Sequence, residues 1–233
     1  MIGPGDARLR ERPASRLERL AASPAGSRYH GPVDDDRSLL EAWREGDEDA
    51  GVRLFERHYD RVARFFRNKA GESGPDLVQR TFLRCVETRE RMREQTSFRC
   101  YLFGVARNVL FEHYREKRRD GDRLDFGAVS VQDFGPTPST IISQQEQGRI
   151  LVQALRQIPV EHQVILELYY WESMRARDIA EVLDIPEGTA RTRIRRAKQL
   201  LERELEALAS TPVVYRSTIS DLEGWAGRIR KGF

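Results

Sequence analysis

Asp178-Ile179-Ala180-Glu181-Val182-Leu183-Asp184-Ile185-Pro186-Glu187-Gly188-Thr189-Ala190-Arg191-Thr192-Arg193-Ile194-Arg195-Arg196-Ala197-Lys198 is the stretch on which the fold turns. Ile179, Ala180, Val182 and Leu183 give a short amphipathic helix over 175–183. Asp184-Ile185-Pro186 breaks it, and a long helix is predicted over 187–208. There Ala190, Ile194, Ala197, Leu201, Leu205 and Leu208 recur at steps of three or four and form one inner face. Arg191, Thr192, Arg193, Arg195, Arg196 and Lys198 lie between and opposite them. Two helices across a tight turn, with cations on the early half of the second, make a helix-turn-helix, whose recognition helix enters the major groove with its first residues at base edges. The arginine fork matches guanine O6 and N7, or two phosphate oxygens. The plainer reading is a solvated face. The short turn, the small Gly188 and Ala190, and the lack of acids between Thr189 and Gln199 favour DNA contact.

Outward from this stretch, a helix through Ile150, Leu151 and Leu155 ends near Pro159, and another carries Val164, Ile165, Leu168, Tyr169 and Trp171. These complete a helical domain over 140–208. Residues 120–139 carry Asp120, Asp122, Asp125, Asp133, Pro136 and Pro138 with no persistent period, which predicts a flexible linker. Before it, Ser38-Leu39-Leu40-Glu41 has capping-box spacing and opens a stripe with Trp43. A helix over 48–69 buries Leu54, Phe55, Tyr59, Val62, Phe65 and Phe66. After the break at 71–75, Asp76 is expected to cap a third helix, with Gln79 at the matching position. A polar loop over 87–96 leads to a helix over 98–118, whose stripe includes Phe98, Tyr101, Leu102, Val105, Ala106, Val109 and Leu110. No segment sustains strand alternation. The chain reads as all-α, with small helical domains over 34–119 and 140–208. Residues 1–33 read as a disordered tail or a basic arm. Residues 209–233, with Leu222, Trp225, Ile229 and Phe233 in helical step, read as a short amphipathic helix or a loosely ordered tail.

Over 233 residues, 40 Lys and Arg against 37 Asp and Glu leave a net charge of only +3, so nucleic-acid binding has to rest on local clustering. Cys85 and Cys100 are too few for a disulfide scaffold and read as buried free thiols. No run approaches the roughly 18 apolar residues of a membrane span, and no secretory signal is visible, so a cytoplasmic protein is expected. His30, His58, His113 and His162 are scattered, without zinc spacing to either cysteine. No Walker loop, nucleophile elbow or HExxH motif occurs. No metal, cofactor or enzymatic activity is expected.

A second cluster mixes cations with rings: Arg107, Asn108, Phe111, His113, Tyr114, Arg115, Lys117, Arg118 and Arg119, after Tyr101 and Phe103. Such a face either stacks on unpaired bases, at about 1–3 kcal/mol per base, or is core with a solvated helix end.

Three motifs in this order resemble an extracytoplasmic-function sigma factor. They are Asp76-Leu77-Val78-Gln79-Arg80-Thr81-Phe82-Leu83, the run from Phe98 to Asn108, and the run from Asp178 to Arg193. The resemblance covers 34–208 and implies sigma region two, then a linker, then sigma region four. It implies a non-catalytic promoter-specificity subunit of RNA polymerase. Asp76, Gln79 and Arg80 would bind the polymerase clamp helices. Ser97 of the loop over 93–97, Tyr101, Asn108, Arg115, Lys117, Arg118 and Arg119 would read and open the minus-ten element, where an extruded base offsets its unstacking cost in a pocket. Arg191, Thr192, Arg195 and Arg196 would meet base edges of the minus-thirty-five element, and Arg193 and Lys198 its phosphates. Residues 166–171 would dock on the polymerase flap or belong to the core. The linker aspartates would mimic RNA in the exit channel or be merely solvated. Sigma factors of this kind are often held by an anti-sigma protein, and nothing in the sequence identifies one. A stand-alone DNA-binding regulator and a helical adaptor for RNA or acidic proteins are the rival readings.

Overall fold

The computed structural model describes residues 35–93, 95–117, 124–134 and 146–209, with positions 218, 222 and 224 beyond them. The 1–33 tail, Arg118, Arg119, Asp120, Asp122, the start of the second predicted domain and most of 209–233 lie outside the described residues. Eight α-helices are described: α1 Asp36–Arg44, α2 Glu48–Ala70, α3 Gly74–Glu87, α4 Phe98–Lys117, α5 Glu146–Gln157, α6 Val160–Leu166, α7 Ala176–Leu183 and α8 Glu187–Leu208. A single π turn, Glu167–Trp171, continues α6. Among the described residues there is no strand, only an isolated bridge between Ser130 and Pro159. The all-α expectation holds.

Two helix starts differ from the sequence reading. Asp35, not Ser38, caps α1: its carboxylate accepts the Ser38 N–H at 2.7 Å. Glu41 pairs instead with Arg37 one turn back, at 3.0 Å. The nearer carboxylate wins because Asp at the N-cap reaches the orphan donor directly and complements the helix dipole. Likewise α3 begins at Gly74 with Pro75 at its start, where a missing N–H costs nothing, so Asp76 sits in the first turn rather than at the cap.

The first four helices close on an aromatic core. Trp43, with no exposed surface, meets Phe55 and Phe98 edge-on at 5.4 and 6.0 Å. Phe55 packs on Phe82 at 4.8 Å. The last four helices bury Val164, Ile165, Leu166, Ile179, Ala190, Ala197 and Leu205. The inner face of α8 is the predicted stripe, with Leu208 only partly covered.

The predicted linker is a correction at its centre. Residues 124–134 pack as a strap: Phe126 stacks on Phe111 at 4.0 Å and Phe134 on Tyr114 at 4.1 Å, and Val131 is buried. Its backbone also joins the next helix, with Val129 accepting from Val160 at 2.9 Å and Phe126 from Glu161 at 3.1 Å. Asp125 and Asp133 are exposed and also hold turns, accepting from Gly127 N–H at 2.9 Å and Ser130 N–H at 2.6 Å. Asp is a turn former because its short side chain reaches backbone two or three residues on.

The two sets of helices touch. The first buries α4 against α2 and α3, and α7 covers its remaining side, where a Cβ on Gly104 would stand 3.6 Å from the Val182 carbonyl. Beside this contact Lys69 of α2, wholly buried, pairs with Glu167 of the π turn, and Gln163 donates to the same carboxylate at 3.0 Å. Desolvation pushes the Lys69 ammonium down, and Glu167 opposes that shift. Tyr114 donates to the Lys69 carbonyl at 2.8 Å.

Gly51 in α2 lies under the Trp43 indole, where an added Cβ would come within 2.5 Å of two ring atoms. Ala is the better helix former by about 1 kcal/mol, but overpacking a buried site costs about 1–3 kcal/mol. Because the added Cβ would meet the ring of a fully buried Trp43, the overpacking cost is expected to exceed the helix gain, and Gly51→Ala to destabilise the chain by up to about 2 kcal/mol. The urea midpoint of the variant against the native chain measures this.

Candidate nucleic-acid interface

The turn between α7 and α8 is built at Asp184, whose φ of 52° and ψ of 50° are left-handed. Asp tolerates this conformation, and the chain then closes with Ile185 N–H on the Ala180 carbonyl at 3.0 Å. At the other end of α7 the Asp178 carboxylate accepts the Arg175 N–H at 2.9 Å. Pro186 then sets the start of α8, with its carbonyl taking the Ala190 N–H at 3.0 Å. The result is two helices joined by a three-residue turn, with the side of α8 opposite Ile194 and Ala197 facing solvent.

On that side Arg191, Thr192, Arg195 and Arg196 are all exposed. Arg191 is poised by Glu187 one turn earlier, at 2.6 Å, and the Thr192 hydroxyl donates back to the Gly188 carbonyl at 3.1 Å. Arg193 is set apart from these: it is half-buried and bound to Glu161 of α6. Lys198 is also half-buried, its ammonium 4.1 Å above the Tyr169 ring and 5.2 Å from that of Tyr170. Leu166 and Leu168 are fully buried, which leaves only Tyr169, Tyr170 and Trp171 half-exposed on the π turn.

The second predicted cluster is more dispersed. Ser97 and Asn108 are exposed, and the Ser97 hydroxyl accepts the Cys100 N–H at 3.2 Å as α4 begins. Tyr101 is half-buried, and its hydroxyl donates to the Cys85 carbonyl at 3.0 Å and meets Thr88 at 2.7 Å. Phe103 is core, edge-on to Phe65 at 5.7 Å. Arg115 and Lys117 are exposed, and Arg115 lies over the strap's Phe126 ring at 5.2 Å. Asp76 is exposed and Gln79 half-buried, whereas Arg80 is committed to Glu116 of α4 through two bonds of 3.0 and 3.2 Å.

A cleft of about 1300 Å³ opens beside the loop at 93–97, lined by Arg44, Arg61, Arg89, Ser97, Arg99 and, from α7, Asp178. Sequence reading placed the loop but not the arginines of α2 and α4 that face it. At its rim the Asp36 carboxyl is held well below the usual carboxylate range, first by its bond to His58 at 2.8 Å and then by Arg57 at 2.7 Å. Both thiols are buried and free, as expected, and burial pushes Cys100 up to about 11. Among the described residues no group of His, Cys, Asp and Glu is arranged to hold a metal, and no helix is long and apolar enough to cross a membrane.

Comparison with known proteins follows this division. Residues 54–120 match the family Sigma-70 region 2, and residues 148–201 match Sigma-70, region 4. The ECF RNA polymerase sigma-E factor of Haemophilus influenzae is 26% identical over 182 residues, which are 74% of this chain and 96% of that protein. CnrH, solved in complex with the cytosolic domain of CnrY, is 21% identical with a TM-score of 0.57, across 76% of this chain and 100% of that one. The sigma factor RpoE of Bartonella quintana, solved with the anti-sigma factor NepR, is 18% identical with a TM-score of 0.50, across 66% of this chain and 95% of that one. At these identities the two structures speak for the fold.

The Asp36 shift fixes the sign of a pH effect. A carboxyl whose pKa is lower in the folded chain contributes stability above its ordinary value of 3.8 and loses it as pH falls below that value. The stability gap between the native chain and Asp36→Asn is therefore expected to shrink below about pH 4. Urea unfolding of both chains across that range measures it.

Proposed function

Because the chain belongs to the extracytoplasmic-function sigma factors and is thus a transcription-initiation factor, we propose that it directs core RNA polymerase to promoters with two separate readers. In this reading α8 recognises the minus-thirty-five element, and the start of α4 with its preceding loop recognises and opens the minus-ten element. The observation that carries it is the exposed row of Arg191, Thr192, Arg195 and Arg196 on a helix whose opposite side is core. Such a row presents bidentate donors to base edges while the packed side fixes their direction. Arg193 and Lys198 would contact phosphates, the first by exchanging Glu161 for DNA.

Ser97 and Asn108 are suited to the non-template strand by their exposure, and Arg115 and Lys117 to its phosphates. Tyr101 would act from behind, supporting the start of α4 through its hydroxyl bonds. Arg118 and Arg119, next in the sequence after Lys117, are assigned to the same element in this reading. Asp76 and Gln79 offer a free edge of α3 to the polymerase clamp helices, and Arg80 would join them on leaving Glu116. The half-exposed rings at 169–171 suit the flap. The proposed division is region two over 34–119, a linker over 120–139, region four over 140–208 and an extension over 209–233. The RpoE relative is solved with the anti-sigma factor NepR, which supports an anti-sigma protein as a partner here, and a cytoplasmic site of action follows from the role. The polymerase supplies the chemistry, so no catalytic role is proposed for this chain.

Transcription by purified core polymerase with this chain, on a library of random promoters, is expected to yield promoter-specific transcripts. Arg191→Ala with Arg196→Ala is expected to reduce them tenfold or more, since a bidentate base contact is worth about 1–3 kcal/mol. Absence of core binding, alongside tight sequence-specific DNA binding by the chain alone, would overturn the reading in favour of a stand-alone regulator.

A further inference from the structure

Three arginines of the first helices converge on Glu172, two on its carboxylate and one on its backbone carbonyl. Glu172, at the end of the π turn, is 8% exposed. Its carboxylate oxygens lie 3.7 Å from Arg61 and 4.0 Å from Arg64, and Arg99 donates to its backbone carbonyl at 3.2 Å. Strong charge-assisted bonds run to about 2.7–2.9 Å, so this carboxylate is only loosely held. The buried Nε of Arg64 has no hydrogen-bond partner. Burial raises the pKa of Glu172 and lowers that of Arg64, which marks an arrangement where neither charge is well satisfied. Two guanidiniums facing one loosely held carboxylate, with Arg99 on the backbone carbonyl beside it, leave donors and positive charge to spare.

Two of these arginines look onto the cleft. Arg61 and Arg99 line it together with Arg44, Arg89 and Ser97, beside the carboxylates of Asp36, Glu41, Glu90 and Asp178. The guanidinium fork suits phosphate as well as carboxylate, and the Glu172 carboxylate stands 3.7 Å from Arg61, so a phosphodiester placed at hydrogen-bond distance would hold that arginine more closely.

We propose that Arg61 and Arg99 form a binding site for a backbone phosphate of single-stranded DNA, and that Glu172, which faces Arg61 and Arg64, occupies the Arg61 side of this site while the two helical sets are packed together. The strand and the last four helices then compete for one set of arginines, so strand binding favours their separation. This rests on the strand-opening reading above.

The probe is a fluorescent single-stranded deoxyoligonucleotide of random sequence, titrated with the full-length chain over a range of salt concentrations. Glu172→Gln is expected to strengthen binding roughly threefold or more at low salt, by removing the competitor. Arg61→Ala is expected to weaken it and to lower the salt slope by about 0.7, the loss of one phosphate contact on a single strand. Arg61 is the more exposed of the α2 pair, and its variant keeps the test decisive if circular dichroism shows Glu172→Gln to be unfolded. Arg203→Ala, on the exposed far part of α8, is the control for net charge. An unchanged slope in Arg61→Ala, a slope lowered equally by Arg203→Ala, or a folded Glu172→Gln chain with unchanged affinity each overturns the site. If promoter-specific transcription with core polymerase is intact while these results fail, only the phosphate site falls. If no such transcription occurs, the initiation reading fails separately.

Discussion

A helix that is apolar on nearly every side is stable only where something covers each side, and α4 is such a helix. Phe98, Leu102, Phe103, Ala106, Val109, Leu110, Phe111 and Tyr114 are all buried, and they do not share one stripe. The aromatic core of α1 to α3 covers one side, α7 covers another, and the strap's Phe126 and Phe134 cover the end. Most of the remaining architecture answers this need. At Gly104 α7 comes close enough that a Cβ would be in van der Waals contact with the Val182 carbonyl, at 3.6 Å. The π turn carries the chain from α6 to α7 with two acids, Glu167 and Glu172, facing α2.

The charges at this junction set orientation more than stability. A buried ion pair loses several kcal/mol of hydration per ion, and apolar residues of similar size often serve as well or better. Removing one partner is different, because the survivor is left buried and uncompensated. Lys69 has no exposed surface on its side chain, and Glu167 gives it the opposing charge that its site requires. An apolar junction would tolerate sliding and rotation. A lysine that must find one carboxylate tolerates neither, so the pair selects a single docking geometry between the two sets of helices.

Local signals were the most legible in the sequence. The limits of α8, its buried stripe and its exposed arginines all follow from a 3.6-residue period, and that signal lies within 22 residues. The start of α1 is ambiguous in the sequence because Asp35 and Ser38 are both good caps, and only geometry decides which carboxylate or hydroxyl reaches the free N–H. The strap reads as a flexible linker because Phe126, Val131 and Phe134 have no common period. Each is held by a different element, so nothing repeats. Lys69 and Glu167 are 98 residues apart, and each alone looks like an ordinary charge on a helix. Nothing in a single sequence announces such a pair. The same holds for Arg61 and Glu172, whose meeting depends on the whole docking geometry.

The strap has a kinetic meaning as well as a structural one. It ties the two sets of helices into one chain, so their meeting is unimolecular. A covalent tether fixes the effective concentration of its two ends. In the proposed competition the balance between packed and parted forms is therefore set by the chain itself and does not change as the cell makes more or less of it. Any partner that needs the two sets apart has to outbid that fixed local concentration.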